Sequence, residues 1–328
     1  MSFLFDSFKF RPFKLAFKNT VTIGKHQLNF REGLYLDLIQ ENRVIATSEL
    51  SPLPGLHSEN LTQAKLNLEK TLHFILSNQE NSSTKNIKLD ILLFNLFKPN
   101  FSIYPSVIFC LESALLMIIK EIRVQFQVNQ KLNILQNDLF LPSSMNLEKH
   151  ISDWNRKKLT KLKIKIGRID LEDEISIINT IINETSSSLQ LRLDGNQSLT
   201  DDQMLYLCKN INLSRVEYFE EPTSNILKLS QFIKKEKLNI FLAVDESLGK
   251  FDLNKELPKE ISHLIIKPNL VGGISKTINY FNLKDKEVVL SSSFESEIGL
   301  NYISLLAQYQ TDNFQQVEAG LDTLKFFK

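Results

Sequence analysis

The run Leu162-Lys163-Ile164-Lys165-Ile166-Gly167, in which two lysines alternate with aliphatic residues, constrains this chain more than any other stretch. Side chains alternate across a strand, so Lys163 and Lys165 share one face while Leu162, Ile164 and Ile166 share the other. The aliphatic face calls for a core, and the two ammonium groups call for a wet, polar cavity. The mouth of a β/α barrel satisfies both. Four later segments repeat the theme of a short apolar run closed by a charge. Leu191-Arg192-Leu193-Asp194 ends on a carboxylate 29 positions after Lys165, Glu220 in Val216-Glu217-Tyr218-Phe219-Glu220-Glu221-Pro222 follows 26 later, Asp245 in Phe241-Leu242-Ala243-Val244-Asp245-Glu246-Ser247 follows after 25 more, and Lys267 in Leu264-Ile265-Ile266-Lys267-Pro268 after another 22. Each interval fits one strand plus one helix, and the C-terminal ends of barrel strands are where such folds do chemistry.

With 328 residues, the chain can build a barrel of about 200–250 residues with a smaller domain attached. A hydrophobic content of 42%, 23% charged residues and a net charge of +1 are those of an ordinary globular protein and give no electrostatic case for a nucleic-acid partner. Cys110 and Cys208 lie in segments with helical periodicity, so neither a disulfide framework nor a Cys-rich metal site is expected, which fits a reducing compartment. Asp6 interrupts the N-terminal apolar stretch too early for a secretory signal, and no uncharged apolar run reaches about 18 residues. A cytoplasmic protein without membrane partners is expected.

Alternation over residues 8–50, through Phe8, Phe10, Phe13, Leu15 and Phe17 and then Leu34, Leu36 and Leu38, predicts a small antiparallel sheet with a polar loop at Asn19–Lys25. Leu61, Ala64, Leu68, Leu72 and Ile75 predict an amphipathic helix, the Asn78–Lys88 tract an exposed loop, and Pro105 the start of a buried helix through about Lys120. The first barrel strand is expected near Leu132–Leu135. Helices are expected through Trp154, through Ile175, Ile178 and Ile182, after a capping box at Thr200–Gln203, after a cap at Ser224, after Gly272-Gly273, and from Ser296 to about Gln308. Val288-Val289-Leu290 and Val317-Glu318 read as the remaining strands.

The ordered set KxK, DxN, EEP, DES and IKP resembles the enolase superfamily, within it the muconate-lactonizing-enzyme-like subgroup, and most closely its o-succinylbenzoate synthases. The resemblance extends from Arg31-Glu32-Gly33 and Pro52-Leu53-Pro54-Gly55 to Gly320-Leu321-Asp322-Thr323. It implies an α/β fold: a modified (β/α)7β TIM-like barrel over residues 105–319, an N-terminal α+β capping domain over residues 1–104, and a tail, 320–328, returning to the cap. The loop at Asn19–Lys25, with Thr20, would fold over the site.

Three carboxylates converging from adjacent strands repel one another unless a cation lies between them, and oxygen ligands with no nearby His or Cys favour Mg²⁺, with Mn²⁺ as the alternative. Asp194, Glu220 and Asp245 are the expected ligands; Glu220 is preferred over Glu221 because it shares a strand face with Tyr218. Lys165 is the expected base and Lys267 a cation steadying an enolate. A lysine base must be biased by roughly 4–5 kcal/mol against its charged form to work near neutrality, and Lys163 would contribute by like-charge proximity. Such chemistry is a known pattern of enolase-type sites. Arg192 and Asn196 are expected around the substrate, and Ser291, Ser293 and the Gly320 amide would receive a carboxylate of a small-molecule substrate. The histidines stand outside the motif set, which argues against a His–Asp base.

Two positions depart from the family pattern: Ser48 and Asp138 stand where glycines are usual. The resemblance implies a hydro-lyase reaction, dehydration of 2-succinyl-6-hydroxy-2,4-cyclohexadiene-1-carboxylate to 2-succinylbenzoate in menaquinone synthesis. Racemisation of N-acylamino acids or epimerisation of dipeptides would suit the same two lysines, and a non-catalytic metal-dependent binding barrel would need neither. Oligomeric state is left open.

Overall fold

In the computed structural model, which describes residues 4–79, 99–128, 131–132, 134–142, 146–252 and 256–328, the alternating N-terminal segment forms β1 (Ser7–Ile23), β2 (His26–Gln40) and β3 (Arg43–Leu50), an antiparallel sheet of order β1-β2-β3. Asn19–Lys25 is not the expected loop. Val21, Thr22 and Ile23 are strand formers that pair with Leu28, Gln27 and His26, so the hairpin runs to a tight turn at Gly24-Lys25 and absorbs a register shift between Ala16 and Val21. Leu34, Leu36 and Leu38 are buried in one core with Ala64, Leu68, Leu72 and Ile75 of α1 (Leu61–Asn78), whose start is closed by an Asn60–Gln63 capping box. Asn78 is therefore helical, and most of the Asn78–Lys88 expectation lies outside the described residues. Pro105 opens α2 (Pro105–Ile118), which is buried along most of its length and is followed by α3 (Lys120–Gln125).

The remaining strands are β4 (Asp138–Phe140), β5 (Lys161–Lys165), β6 (Gln190–Asp194), β7 (Val216–Glu220), β8 (Leu242–Val244), β9 (Ile261–Ile266) and β10 (Glu287–Leu290). They form one parallel sheet of order β10-β9-β8-β7-β6-β5-β4. The sheet curls, and its two edges are joined through Ala319, which bridges Gln136, and Gly320, which bridges Ser291. Strand residues on the outer face pack against α4 (Leu147–Lys157), α5 (Leu171–Glu184), α6 (Asp201–Asn210), α7 (Ile226–Glu236), α8 (Pro268–Val271), α9 (Gly273–Phe281) and α10 (Glu297–Asn313). Among the described residues, no helix is long and apolar enough to cross a membrane.

Three local expectations shift. The first ladder begins at Asp138, not Leu132–Leu135, because only Asp138–Phe140 come into register with Leu162–Ile164; Leu135 is 46% exposed. Asn225 rather than Ser224 caps α7, since its side chain reaches the Lys228 amide of a helix that starts at Ile226. The closing bridges fall at Ala319 and Gly320, just past Val317-Glu318.

Buried polar groups tie the N-terminal sheet to the barrel. Glu49 on β3 accepts from the backbone amides of Ser296 (3.1 Å) and Gly299 (3.0 Å) at the start of α10, and from the hydroxyls of Ser296 and Ser51. A carboxylate at a helix N-terminus satisfies otherwise orphaned amides and is favoured by the helix dipole. Arg31 on β2, also fully buried, donates to the carbonyls of Ser51, Pro52 and, across the junction, Phe294 (3.0 Å).

Replacing Glu49 with Ala strands two buried amides and two hydroxyls, and should lower stability by about 2–4 kcal/mol. Urea unfolding followed by Trp154 fluorescence would measure it. Glu49→Gln, which keeps one acceptor oxygen, should lose less; equal losses would mean that packing rather than hydrogen bonding joins the two parts.

Candidate active site

Parallel pairing sets Lys165, Asp194 and Glu220 abreast: Lys165 is the register partner of Asp194, and Asp194 that of Glu220, at the C-terminal ends of β5, β6 and β7. Paired residues project to the same side of a sheet, so the ammonium and both carboxylates enter the barrel mouth together. Asp194 and Glu220 are fully buried, and Asp245, just beyond β8, is 7% exposed. Lys163, one layer deeper, lies 2.7 Å from Asp194 and 2.7 and 2.8 Å from the two oxygens of Glu220. Lys165 donates to Asp194 Oδ2 (2.6 Å) and to Asn196 Oδ1 (2.7 Å), while Lys267, following β9, is paired with Asp245.

The electrostatics follow from this crowding. Burial opposes the charge of Asp194, yet Lys163 and Lys165 together hold its carboxyl well below the usual range. Glu220 goes the other way: burial and then the neighbouring Asp194 charge push it up to about 8, against the pull of Lys163. Burial also opposes the charge of Lys163, but Asp194 and Glu220 outweigh it and raise the lysine well above its ordinary value; Lys267, likewise opposed by burial, is raised by Asp245, Glu246 and Glu220. Lys163 is thus no uncompensated neighbour of Lys165, as the like-charge expectation had it, since both ammoniums share Oδ2 of Asp194.

The donor set fits a hard divalent cation. Its carboxylates stand at the ends of three successive strands and offer only hard oxygen donors. Glu221 has a different task, which sequence reasoning missed although the doubled acid signals it. With φ at 37°, it turns out of the strand and accepts from the amides of Asp245 (3.1 Å) and Ser247 (2.8 Å), fixing the turn that carries Asp245. Asn196, also left-handed (φ 43°), links Lys165 to Glu246 through its amide nitrogen, 2.8 Å from Glu246 Oε1.

The expected substrate-side residues separate. Ser291 and Ser293 stand where β10 ends, and the Ser293 hydroxyl is buried without a hydrogen-bond partner. The Gly320 amide is not free to receive a carboxylate, because it donates to the Leu290 carbonyl (2.7 Å) where the barrel edges close. Arg192 is fully buried below Asp194 and is engaged by Glu217 (2.5 Å), Asn137 (3.0 Å) and the Glu318 carbonyl (2.7 Å). It braces the barrel interior instead of facing the mouth. Thr20 is exposed, and its hydroxyl bonds Asn29 across the hairpin (2.7 Å).

Toward the N-terminal ends of the strands, Glu217, His263 and Glu287 present ligand atoms all within 4.8 Å of one another, a group able to hold a divalent ion. Both oxygens of Glu217 are already taken by Lys161 and Arg192, each at 2.5 Å. A metal here would compete with Lys161 and Arg192, as one among the mouth carboxylates would compete with Lys163, Lys165 and Lys267.

Comparison with known proteins places these features. Residues 146–316 match the family described as enolase C-terminal domain-like, and residues 6–118 match the MenC N-terminal domain. The o-succinylbenzoate synthase of Aliivibrio fischeri (strain MJ11) is 28% identical over 98% of this chain and 91% of its own. Among solved structures, the o-succinylbenzoate synthase of Thermosynechococcus elongatus BP-1, complexed with Mg in the active site, superposes with a TM-score of 0.70 at 18% identity, covering 98% of this chain and 94% of that one. The N-succinyl Arg/Lys racemase of Bacillus cereus ATCC 14579 reaches a TM-score of 0.76 at 14% identity, covering 97% of this chain and 87% of that one. With the barrel matched over more than half its length and the cap matched beside it, the chain belongs to the enolase superfamily, in its MenC and muconate-lactonizing-enzyme-like subgroup.

Proposed function

We propose that the protein is an o-succinylbenzoate synthase, converting 2-succinyl-6-hydroxy-2,4-cyclohexadiene-1-carboxylate to 2-succinylbenzoate and water. The observation that carries this reading is the placement of Lys165 and Lys267 at the ends of β5 and β9, on either side of the carboxylate row. The likeness to synthases over nearly the whole chain supports dehydration among the reactions such a pair can perform.

Asp194, Glu220 and Asp245 would hold Mg²⁺, whose charge, when bound, makes the proton α to the substrate carboxylate more acidic. Lys165, positioned by Asn196, removes that proton in its neutral form. Lys267, which its acidic neighbours keep charged, steadies the enolate from the other flank. The proton taken by Lys165 then leaves with the ring hydroxyl as water, and the freed electron pair completes the aromatic ring. The unpartnered Ser293 hydroxyl, with Ser291 beside it, is available to orient a carboxylate of the substrate. Racemisation or epimerisation is the second reading, favoured by the same pair of lysines and by the structural likeness to an N-succinyl amino-acid racemase. A binding barrel without catalysis would have no use for a lysine on each flank.

Turnover of the cyclohexadiene should require Mg²⁺ or Mn²⁺, and Asp245→Asn should weaken metal binding at least tenfold by calorimetry while circular dichroism stays unchanged. Full turnover in excess EDTA would sink the metal assignment.

The lysines should separate in deuterated buffer. For a dehydratase, Lys165→Ala should abolish both turnover and exchange of the α-proton, while Lys267→Ala should slow both through weaker enolate stabilisation. In a racemase each single variant keeps exchanging the proton of one enantiomer. Dehydration that survives Lys165→Ala but not Lys267→Ala would place the base on the wrong strand.

A further inference from the structure

The loops that end β6 and β8 are both tied to Glu221, the residue that follows the strand between them. Its carboxylate accepts from the Asp245 amide (3.1 Å), the Ser247 amide (2.8 Å), the Ser247 hydroxyl (3.0 Å) and the Gln197 side-chain amide (3.1 Å). Its carbonyl also accepts from the Gln197 backbone amide. Asn196 and Glu246 are therefore held across the end of β7 by a shared anchor, and there they meet, Asn196 Nδ2 donating to Glu246 Oε1 at 2.8 Å. Asn196 is fixed on its own loop as well, by a left-handed backbone (φ 43°) and by the bond from its amide to Asp194 Oδ1 (3.1 Å).

A side-chain amide has one accepting end and one donating end, and the end that faces Lys165 decides what the amine has left for chemistry. The neutral amine that takes a proton carries two hydrogens and one lone pair. With Asn196 as it stands, the hydrogens go to Asn196 Oδ1 (2.7 Å) and Asp194 Oδ2 (2.6 Å), and the lone pair is the vertex left over. Turned over, the amide would offer Nδ2–H to that lone pair and occupy the base. A charged Lys165 forbids the turned-over amide by itself, because two donors would then face each other. A neutral one does not. Glu246 forbids it in both states, since an ionised carboxylate only accepts.

We propose that Glu246 is a positioning residue for Lys165: it holds the Asn196 amide with Oδ1 toward the amine, so that the lone pair of the neutral base stays open to the substrate proton. When that proton moves, the α C–H bond breaks, an N–H bond forms on the lone pair, and the C–H electron pair passes into the enolate. Glu246 acts through Asn196 and exchanges no proton itself. The inference rests on Lys165 being the base, as in the proposed function, and its test has an arm that needs no substrate.

Glu246→Ala removes the acceptor, whereas Glu246→Gln keeps one acceptor oxygen without the charge. In Glu246→Ala, kcat for the cyclohexadiene should fall about 10–100-fold with KM within twofold, and Glu246→Gln should recover most of the loss. Mn²⁺ affinity, read by electron paramagnetic resonance, should stay within twofold in both. Nuclear magnetic resonance of protein with isotope-labelled asparagine supplies the arm without substrate: the Asn196 side-chain amide, identified by its absence in Asn196→Asp, should exchange with water at least tenfold faster in Glu246→Ala. Unchanged exchange of that amide overturns the proposal. So does a loss of kcat in Glu246→Gln as large as in Glu246→Ala, which would make the effect one of charge, or a loss of Mn²⁺ affinity alongside kcat, which would route it through Asp245. If the unaltered protein racemises N-succinyl amino acids and does not dehydrate the cyclohexadiene, the proposed function fails and the link is read from α-proton exchange instead: Glu246→Ala should slow it for the enantiomer that Lys165→Ala loses, and equal slowing of both enantiomers overturns the link.

Discussion

In-register parallel pairing of β5, β6 and β7 is the constraint on which the rest of the site depends. Because the side-chain period along a strand is two, a slip of one residue in either pairing would send Asp194 or Glu220 out among the helices and bring a leucine or phenylalanine into the mouth. The outward-facing residues prevent the slip. Leu162, Ile164, Leu191, Leu193 and Phe219 are fully buried against the surrounding helices, so the hydrophobic effect on the outside of the barrel holds the charges on its inside in line.

Placing those charges in line has an electrostatic consequence. Fully buried carboxylates are tolerated only when compensated, and the lysines at the mouth provide much of that compensation through contacts of about hydrogen-bond length. On Glu220, burial and the Asp194 charge together outweigh the pull of Lys163 and raise the carboxyl. A second buried network, deeper in the barrel, joins Arg192 and Lys161 through Glu217 beneath the carboxylates of the mouth, with Tyr218 packed over the guanidinium. One nitrogen of that network, Arg192 Nη2, is buried without a hydrogen-bond partner.

The sheet at the N-terminus stays where it is by the same logic of satisfied buried groups. Glu49 closes the start of α10, Arg31 collects carbonyls from both parts of the molecule, and Asn269, two residues after Lys267, donates to the Ser51 carbonyl at 3.2 Å. The proline turn at Pro52–Gly55 is thereby coupled to the strand end that carries Lys267. None of these contacts involves a long-range attraction between exposed charges, so they resist salt better than surface ion pairs would.

The barrel, its element order and the mouth residues were legible in the amino-acid sequence because each strand declares itself locally: a few aliphatic residues for the outside, then one charge for the inside, at intervals that leave room for one helix. Lys163, Lys165, Asp194, Glu220, Asp245 and Lys267 all follow that rule. What the sequence left undetermined involves contacts between segments far apart in the chain. That Gly320 would spend its amide on Leu290, that Arg192 would be drawn to Glu217 and Asn137, and that Glu221 would leave its strand to hold the Asp245 turn were decided by tertiary structure. The physical reason is that a hydrogen-bonding group takes whichever partner the fold brings within reach, and local spacing carries no information about partners that arrive from elsewhere.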